Sequence, residues 1–233
     1  MALKLYDLAA ADERVRFSPH CWRARMAIAH KGLAVKTVPW RFTDKDAIAF
    51  SGQGATPVLV DGDKTVVDSW EIARYLDAAY GDRPRLFEGP QAEAHAYFIK
   101  LWCERVLHPG VAKQIMAELF DMLDEKDKPY FRESREKRFG QTLEEFSAGA
   151  EAALPSFRGS LAPLRATLEK QPYLGGGGPS FADYIAFGAF QWARTSSSRD
   201  LLEPGDPIAD WRGRLLDMFD GLAASVPARS GGA

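Results

Sequence analysis

Cysteine is scarce in this chain: two residues, Cys21 and Cys103, among 233. Two thiols cannot build a disulfide framework, and that scarcity suits a reducing compartment, so a cytoplasmic location is expected. Long apolar runs are absent; none approaches the roughly 20 residues that cross a bilayer, so no membrane partner is expected. The opening MALKLYDL is too short an apolar stretch for a secretory signal and reads as a first strand. Excess charge is also missing: the net charge is −2, which argues against a nucleic-acid partner. The four histidines have no metal-ligand spacing, so no metal is expected. The glycine run Gly175–Gly178 lacks the lysine and serine of a phosphate cradle and reads as a turn.

What is present divides the chain in two. Residues 3–8 and 34–40 read as strands, with Pro39 placing the second near an edge or an end. Between them, residues 19–31 read as a helix, with Trp22, Met26 and Ala29 on one face, the arginines off it, and Gly32 ending it. Residues 57–61 and 64–67 flank Gly62-Asp63 as a hairpin, and helical spacing resumes at Ile72, Leu76 and Tyr80. GDRPRLFEGP is a linker by composition. Beyond it the pattern is helical: 91–107, 111–123, 160–170, 181–194 and 211–223. Residues 124–138 are charge-dense, interrupted by Pro129, and read as a solvated loop and helix face. The tail VPARSGGA reads as frayed. The expected organisation is 1–82 as a sheet-containing domain, 83–90 as a linker and 91–233 as an all-helical domain.

Ser18-Pro19 stands where a loop enters the first helix. Serine is a good N-cap and proline is favoured at the first helical position, so a capped helix is the plain reading. A helix N-terminus also presents free N–H groups and the positive end of a dipole, which stabilise a thiolate, and the serine hydroxyl can donate to its sulfur. Thr56-Pro57 opens a strand; with a cis bond, the Thr56 backbone could pair with an extended ligand. Asp68-Ser69 starts another helix, with Ser69 a plausible N-cap. That helix start can hold a carboxylate, while Asp68 can pair with an ammonium. Thiol, peptide bond and amino-acid head are the features of glutathione, in that order.

With these motifs the chain resembles the glutathione transferase superfamily, through TPVL, DSWEIARYL and PSFADY, over about residues 3–223. The resemblance implies a fold of class α/β plus all-α, a thioredoxin-like N-terminal domain followed by an all-helical one. It implies that Pro57 is cis, that Thr56 pairs with the cysteinyl backbone of glutathione, and that Asp68 and Ser69 hold its γ-glutamyl group. It also implies a homodimer, with glutathione as co-substrate and Ser18 activating its thiol. Ser180 to Asp183 resembles the family's helix-capping box. SPHCWRARMAIAHKG, DRPRLFEGP and YLGGGGPSFADYI look like the bacterial glutathione-dependent β-etherases, in which glutathione attacks the β-carbon of an aryl ether and a phenol leaves.

Gln53 is a candidate for the glutathione peptide and Lys45 for its glycine carboxylate; the competing reading for both is an exposed loop residue. Tyr97, Phe98, Trp102, Met116 and Phe120 form a candidate pocket for an aromatic electrophile, against the alternative that such a stripe is core. Two other functions compete. One is a non-catalytic binding protein on the same fold. The other is a thiol oxidoreductase using Cys21, which the serine at the first motif position disfavours.

Overall fold

The structure is a computed structural model that describes residues 3–229. Strand β1 (Leu3–Leu8) runs parallel to β2 (Val35–Trp40), with α1 (Pro19–His30) as the crossover. β3 (Val58–Asp61) pairs antiparallel with β1, Leu5 opposite Leu59, and with β4 (Lys64–Val67), Leu59 opposite Val66. The sheet order is β2-β1-β3-β4, so β2 is an edge strand and tolerates Pro39, which has no N–H to donate. Gly62 at the hairpin has φ +56°, where a side chain would be strained. A 3-10 turn, Lys45–Ser51, fills the connection between β2 and β3. With α2 (Ser69–Ala79) this is a thioredoxin-like unit.

All the described chain after Pro90 is helix and loop: α3 (Pro90–Trp102), α4 (His108–Asp121), α5 (Lys128–Phe139), α6 (Leu143–Ala148), α7 (Ala150–Ser160), α8 (Ala162–Leu168), α9 (Phe181–Ser196) and α10 (Pro207–Gly221). Helical backbone continues from α3 to α4 through a π-turn, Cys103–Leu107, whereas the expected stretches 91–107 and 111–123 are separate. The His108 N–H reaches Cys103 C=O just before Pro109, so the wider turn absorbs a residue without an N–H. Pro129 likewise opens α5 instead of interrupting it. The tail is not frayed over its described part: Val226 is buried, its C=O accepts from Arg194 at 2.9 Å, and Arg229 Nη1 donates to Glu118 O at 2.7 Å. Residues 230–233 of that tail lie outside the described residues.

Two apolar clusters form the core. One gathers Leu3, Leu5, Trp22, Met26 and Leu59 with α9 residues such as Tyr184, Phe187 and Phe190. The other gathers Leu8, Phe17, Trp40, Phe42 and Val58 with Ala112, Met116 and Leu119 of α4. Helix α1 is therefore covered on every side. Its arginines, which the spacing puts off the apolar face, are buried as well: Arg23 pairs with Glu104 at 3.4 Å and Arg25 with Asp7 at 3.5 Å. An unpaired buried guanidinium would be costly, and each has an acid from another element. The closest approach is at Gly188 of α9, where a Cβ would lie 2.4 Å from Pro19 O. Glycine there lets the α1 entrance rest on the α9 backbone.

Candidate functional site

Ser18 caps α1 with ordinary extended backbone (φ −63°, ψ 124°), and its Oγ accepts from the Cys21 N–H at 3.3 Å. The approach is fixed one step earlier, where Trp22 Nε1 donates to Arg16 O at 2.7 Å. Ser18 is 4% exposed. Its hydroxyl proton is not used by the cap, so it is available to an anion. Cys21 lies one turn on and donates from Sγ to Thr56 Oγ1 at 3.5 Å. That contact joins the first turn of α1 to the Thr56-Pro57 peptide, which is cis.

Cys21 is fully buried, and burial, then Asp7, pushes its thiol up to about 12. At neutral pH it is a protonated hydrogen-bond donor. A redox nucleophile needs thiolate character, so this geometry weighs against the oxidoreductase reading. Beneath it, Asp7 lies 3.5–3.6 Å from the guanidinium groups of Arg25 and Arg16. Burial nonetheless raises the Asp7 pKa against both arginines.

The second helix start differs from expectation in one respect. Asp68, not Ser69, is the cap of α2: its Oδ1 accepts from Trp70 N at 2.8 Å and Glu71 N at 3.4 Å. Asp68 has φ +69° and ψ 135°, a strained backbone for a non-glycine residue. Asp68 is exposed, while Ser69 is buried with its Oγ lacking any hydrogen-bond partner among the described residues. The aspartate out-competes the serine as cap because its carboxylate reaches two N–H groups at a positive helix end.

Lys45 and Gln53 sit on the loop that precedes Thr56. The Lys45 ammonium donates to Gly54 O and lies 5.0 Å from the Trp40 ring and 4.9 Å from the Tyr130 ring. Gln53 is exposed, and its backbone N–H donates to Ser51 Oγ at 3.2 Å.

The five aromatic and apolar candidates of the helical region do not line one pocket. Tyr97 is half-exposed, edge-on to Trp70 at 5.3 Å, and Phe98 is 67% exposed. Trp102 packs on the first cluster. Met116 is buried in the second, with Phe120 packed against it and 6.2 Å from Phe131. Tyr97 and Phe120 are separated by near-continuous helix, roughly 35 Å at about 1.5 Å per residue. Met116, in the cluster that contains Phe17, is the candidate brought toward Ser18. A cleft of about 350 Å³ at the far end of α2, lined by Arg74, Asp77, Arg85 and Glu93, includes none of the predicted residues.

The sequence reading missed an imidazole pair at the α1 entrance. His20, in the first turn, meets His108 edge-on at 5.3 Å, and His108 meets Trp192 at 6.1 Å. Burial and Arg23 push His108 down to about 3, and lower His20 well below the usual histidine value. His20 lies two residues after Ser18 in the sequence, but His108 comes from α4 and Trp192 from α9, which no local signal reveals.

The fold is shared with known proteins. The family models described as glutathione S-transferase, N-terminal domain and C-terminal domain match residues 14–84 and 94–220. Glutathione S-transferase Z2 of Arabidopsis thaliana is 28% identical over 109 residues, 45% of this chain and 47% of the relative. The glutathione S-transferase-like protein ustS of Aspergillus flavus is 28% identical over 142 residues, 55% of this chain and 50% of the relative. The chain thus spans about half the length of these curated relatives. The crystal structure of glutathione transferase GSTFuA3 from Phanerochaete chrysosporium superposes with a TM-score of 0.82 at 25% identity over 99% of both chains. That of CsGST83044 of Ceriporiopsis subvermispora, in complex with glutathione, has a TM-score of 0.81 at 20% identity over 95% of this chain and 99% of that one.

Proposed function

This chain belongs to the glutathione S-transferase family, and we propose that it binds glutathione and activates the thiol for attack on an aromatic electrophile. In this reading the sulfur lies at Ser18, the cysteinyl backbone pairs with Thr56 beside Pro57, and the γ-glutamyl head meets Asp68 and Ser69. The glycine carboxylate faces Lys45 and Gln53. The Ser18 hydroxyl and the N-terminal N–H groups of α1 stabilise the thiolate, which raises its fraction at neutral pH. The sulfur then forms a bond to an electrophilic carbon, and a halide or phenoxide leaves with the bonding pair. A β-aryl ether beside a carbonyl is one such electrophile, with the apolar surface at Met116 and Phe120 as its contact.

The observation that carries this reading is the Cys21–Thr56 contact, which holds the α1 entrance and the cis Thr56-Pro57 peptide in one frame. Two unbonded, buried cysteines suit a reducing cytoplasm. The exposed Phe98 and Leu101 on α3 offer an apolar face for a homodimer, which sedimentation measures directly. The test of function is calorimetric titration with glutathione, followed by turnover of an aryl halide and of an α-keto β-aryl ether. Binding with turnover is expected. Binding without turnover of either substrate assigns the chain a carrier role, and absence of binding overturns the proposal.

A further inference from the structure

Lys45 is not a free loop lysine. Its segment is held from the helical region, through a residue that no sequence motif marks. Asp127, the residue before α5, is fully buried. Its Oδ2 accepts from the Phe42 N–H at 3.0 Å, and its Oδ1 accepts from the Thr43 N–H at 3.0 Å and Thr43 Oγ1 at 2.6 Å. One carboxylate thus takes three donors from the loop that leads directly into Lys45. Two ion pairs flank it, Lys126 with Asp44 at 2.6 Å and Arg41 with Asp124 at 3.4 Å. Tyr130, one turn into α5, supplies a ring 4.9 Å from the Lys45 ammonium, and Trp40 supplies a second. The same ammonium donates to Gly54 O, two residues before Thr56. The connection therefore runs from Asp127 through residues 42–44 to Lys45, and from Lys45 to the loop that delivers Thr56.

We infer that Asp127 and Tyr130 are positioning residues for the Lys45 subsite, so that the helical region sets how tightly the glycine end of glutathione is held. This rests on the glutathione reading above. An ammonium has three donors; Gly54 takes one, and the two rings confine the group without consuming the others. A held cation loses less freedom on meeting a carboxylate than a solvated loop lysine does. Asparagine at position 127 would keep one acceptor but turn an NH₂ group toward a backbone N–H, leaving a buried donor unpaired. The loop would then be released without a change of size.

The test compares glutathione with γ-glutamylcysteine, which lacks the glycine. For Asp127→Asn, the ratio of kcat/KM for glutathione to that for the dipeptide should fall about tenfold through KM for glutathione, the scale of one charge-assisted hydrogen bond. A loss of folded or active enzyme lowers both values together and leaves the ratio unchanged, so that result overturns the inference. Tyr130→Ala removes a 39% exposed ring and is expected to leave the fold intact. It should lower the same ratio, about threefold by the scale of one exposed cation–π contact. If Asp127→Asn fails to fold, an unchanged ratio in Tyr130→Ala overturns the inference by itself. Wild-type protein that binds neither thiol sinks the glutathione reading instead.

Discussion

The two helix entrances of the thioredoxin-like unit are built differently. At α1, Ser18 has relaxed backbone, its cap bond is made, and α9 and α4 pack against the first turn through Gly188 and His108. At α2, Asp68 has φ +69°, it is exposed, and the neighbouring Ser69 hydroxyl is buried without a partner among the described residues. The first entrance depends on the helical region for its position. The second is strained at Asp68 and carries a buried hydroxyl with no hydrogen-bond partner among the described residues. A cap can thus be locally ordinary and a candidate for chemistry, and strain with an orphaned polar atom singles out the other entrance as a second candidate.

The contrast is sharpest at Ser18. Ser18→Ala should lower turnover about a hundredfold, the scale of losing one donor to a developing anion, while glutathione affinity stays nearly constant. Ultraviolet titration of the bound thiolate should give a raised thiol pKa. A variant with full turnover and an unshifted thiol would mean that the helix end suffices without the hydroxyl.

Gly188→Ala asks whether the α1 entrance depends on α9. Its new Cβ would meet Pro19 O, and the expected cost is about 1–3 kcal/mol in a denaturant melt, with reduced turnover. A melt indistinguishable from wild type would break the comparison on that side. At α2, Asp68→Gly should separate binding from stability. Glycine adopts φ +69° freely and replaces an aspartate cap at a cost of a few tenths of a kcal/mol. Affinity for glutathione should drop about tenfold with loss of the ammonium partner. Equal losses in both would make Asp68 a structural cap alone.

Acid should affect the α1 entrance more than the α2 one. Burial, with Arg23 and Lys100 nearby, pushes His108 down to about 3. In the unfolded chain histidine binds a proton near pH 6.5, so between about 6.5 and 3 the unfolded state takes up protons that the folded state refuses. Stability from this group is therefore lost as pH falls through that window, by up to about 1.4 kcal/mol per unit. His20, also lowered, adds to the slope, whereas the raised carboxyls of Asp7 and Asp183 oppose it. Denaturant melts of His108→Phe over this range should show a flatter acid limb than wild type; an identical slope counts against the assignment.

Much of the first unit was legible because its signals are local. Pro39 predicted an edge or an end, Gly62-Asp63 a hairpin, and Ser18-Pro19 a helix start; β2 is an edge strand, and the hairpin and the helix start are found. Asp183 also takes its expected place, accepting from the Ser180 N–H at 2.9 Å and additionally from Trp211 Nε1. The helical region was less legible. Thr142-Leu143-Glu144-Glu145 forms a capping box that opens α6, a signal of the S/T-x-x-E kind that was overlooked. The apolar spacing of Tyr97 to Phe120 is real, but a long helix has several faces, and spacing alone does not say which one meets the first unit.

The amino-acid sequence by itself determined the order of elements in the first unit, its two helix entrances and the chemistry of the residues standing at them, because caps, turns and β-branched runs act over a few residues. Tertiary structure alone decided three matters. It chose Asp68 over Ser69 as the α2 cap, buried Arg23 and Arg25 against acids from other elements, and set Asp127 under the loop that carries Lys45. Each depends on groups far apart in the chain meeting where water is excluded. There an unpaired charge or N–H is costly enough to dictate the partner.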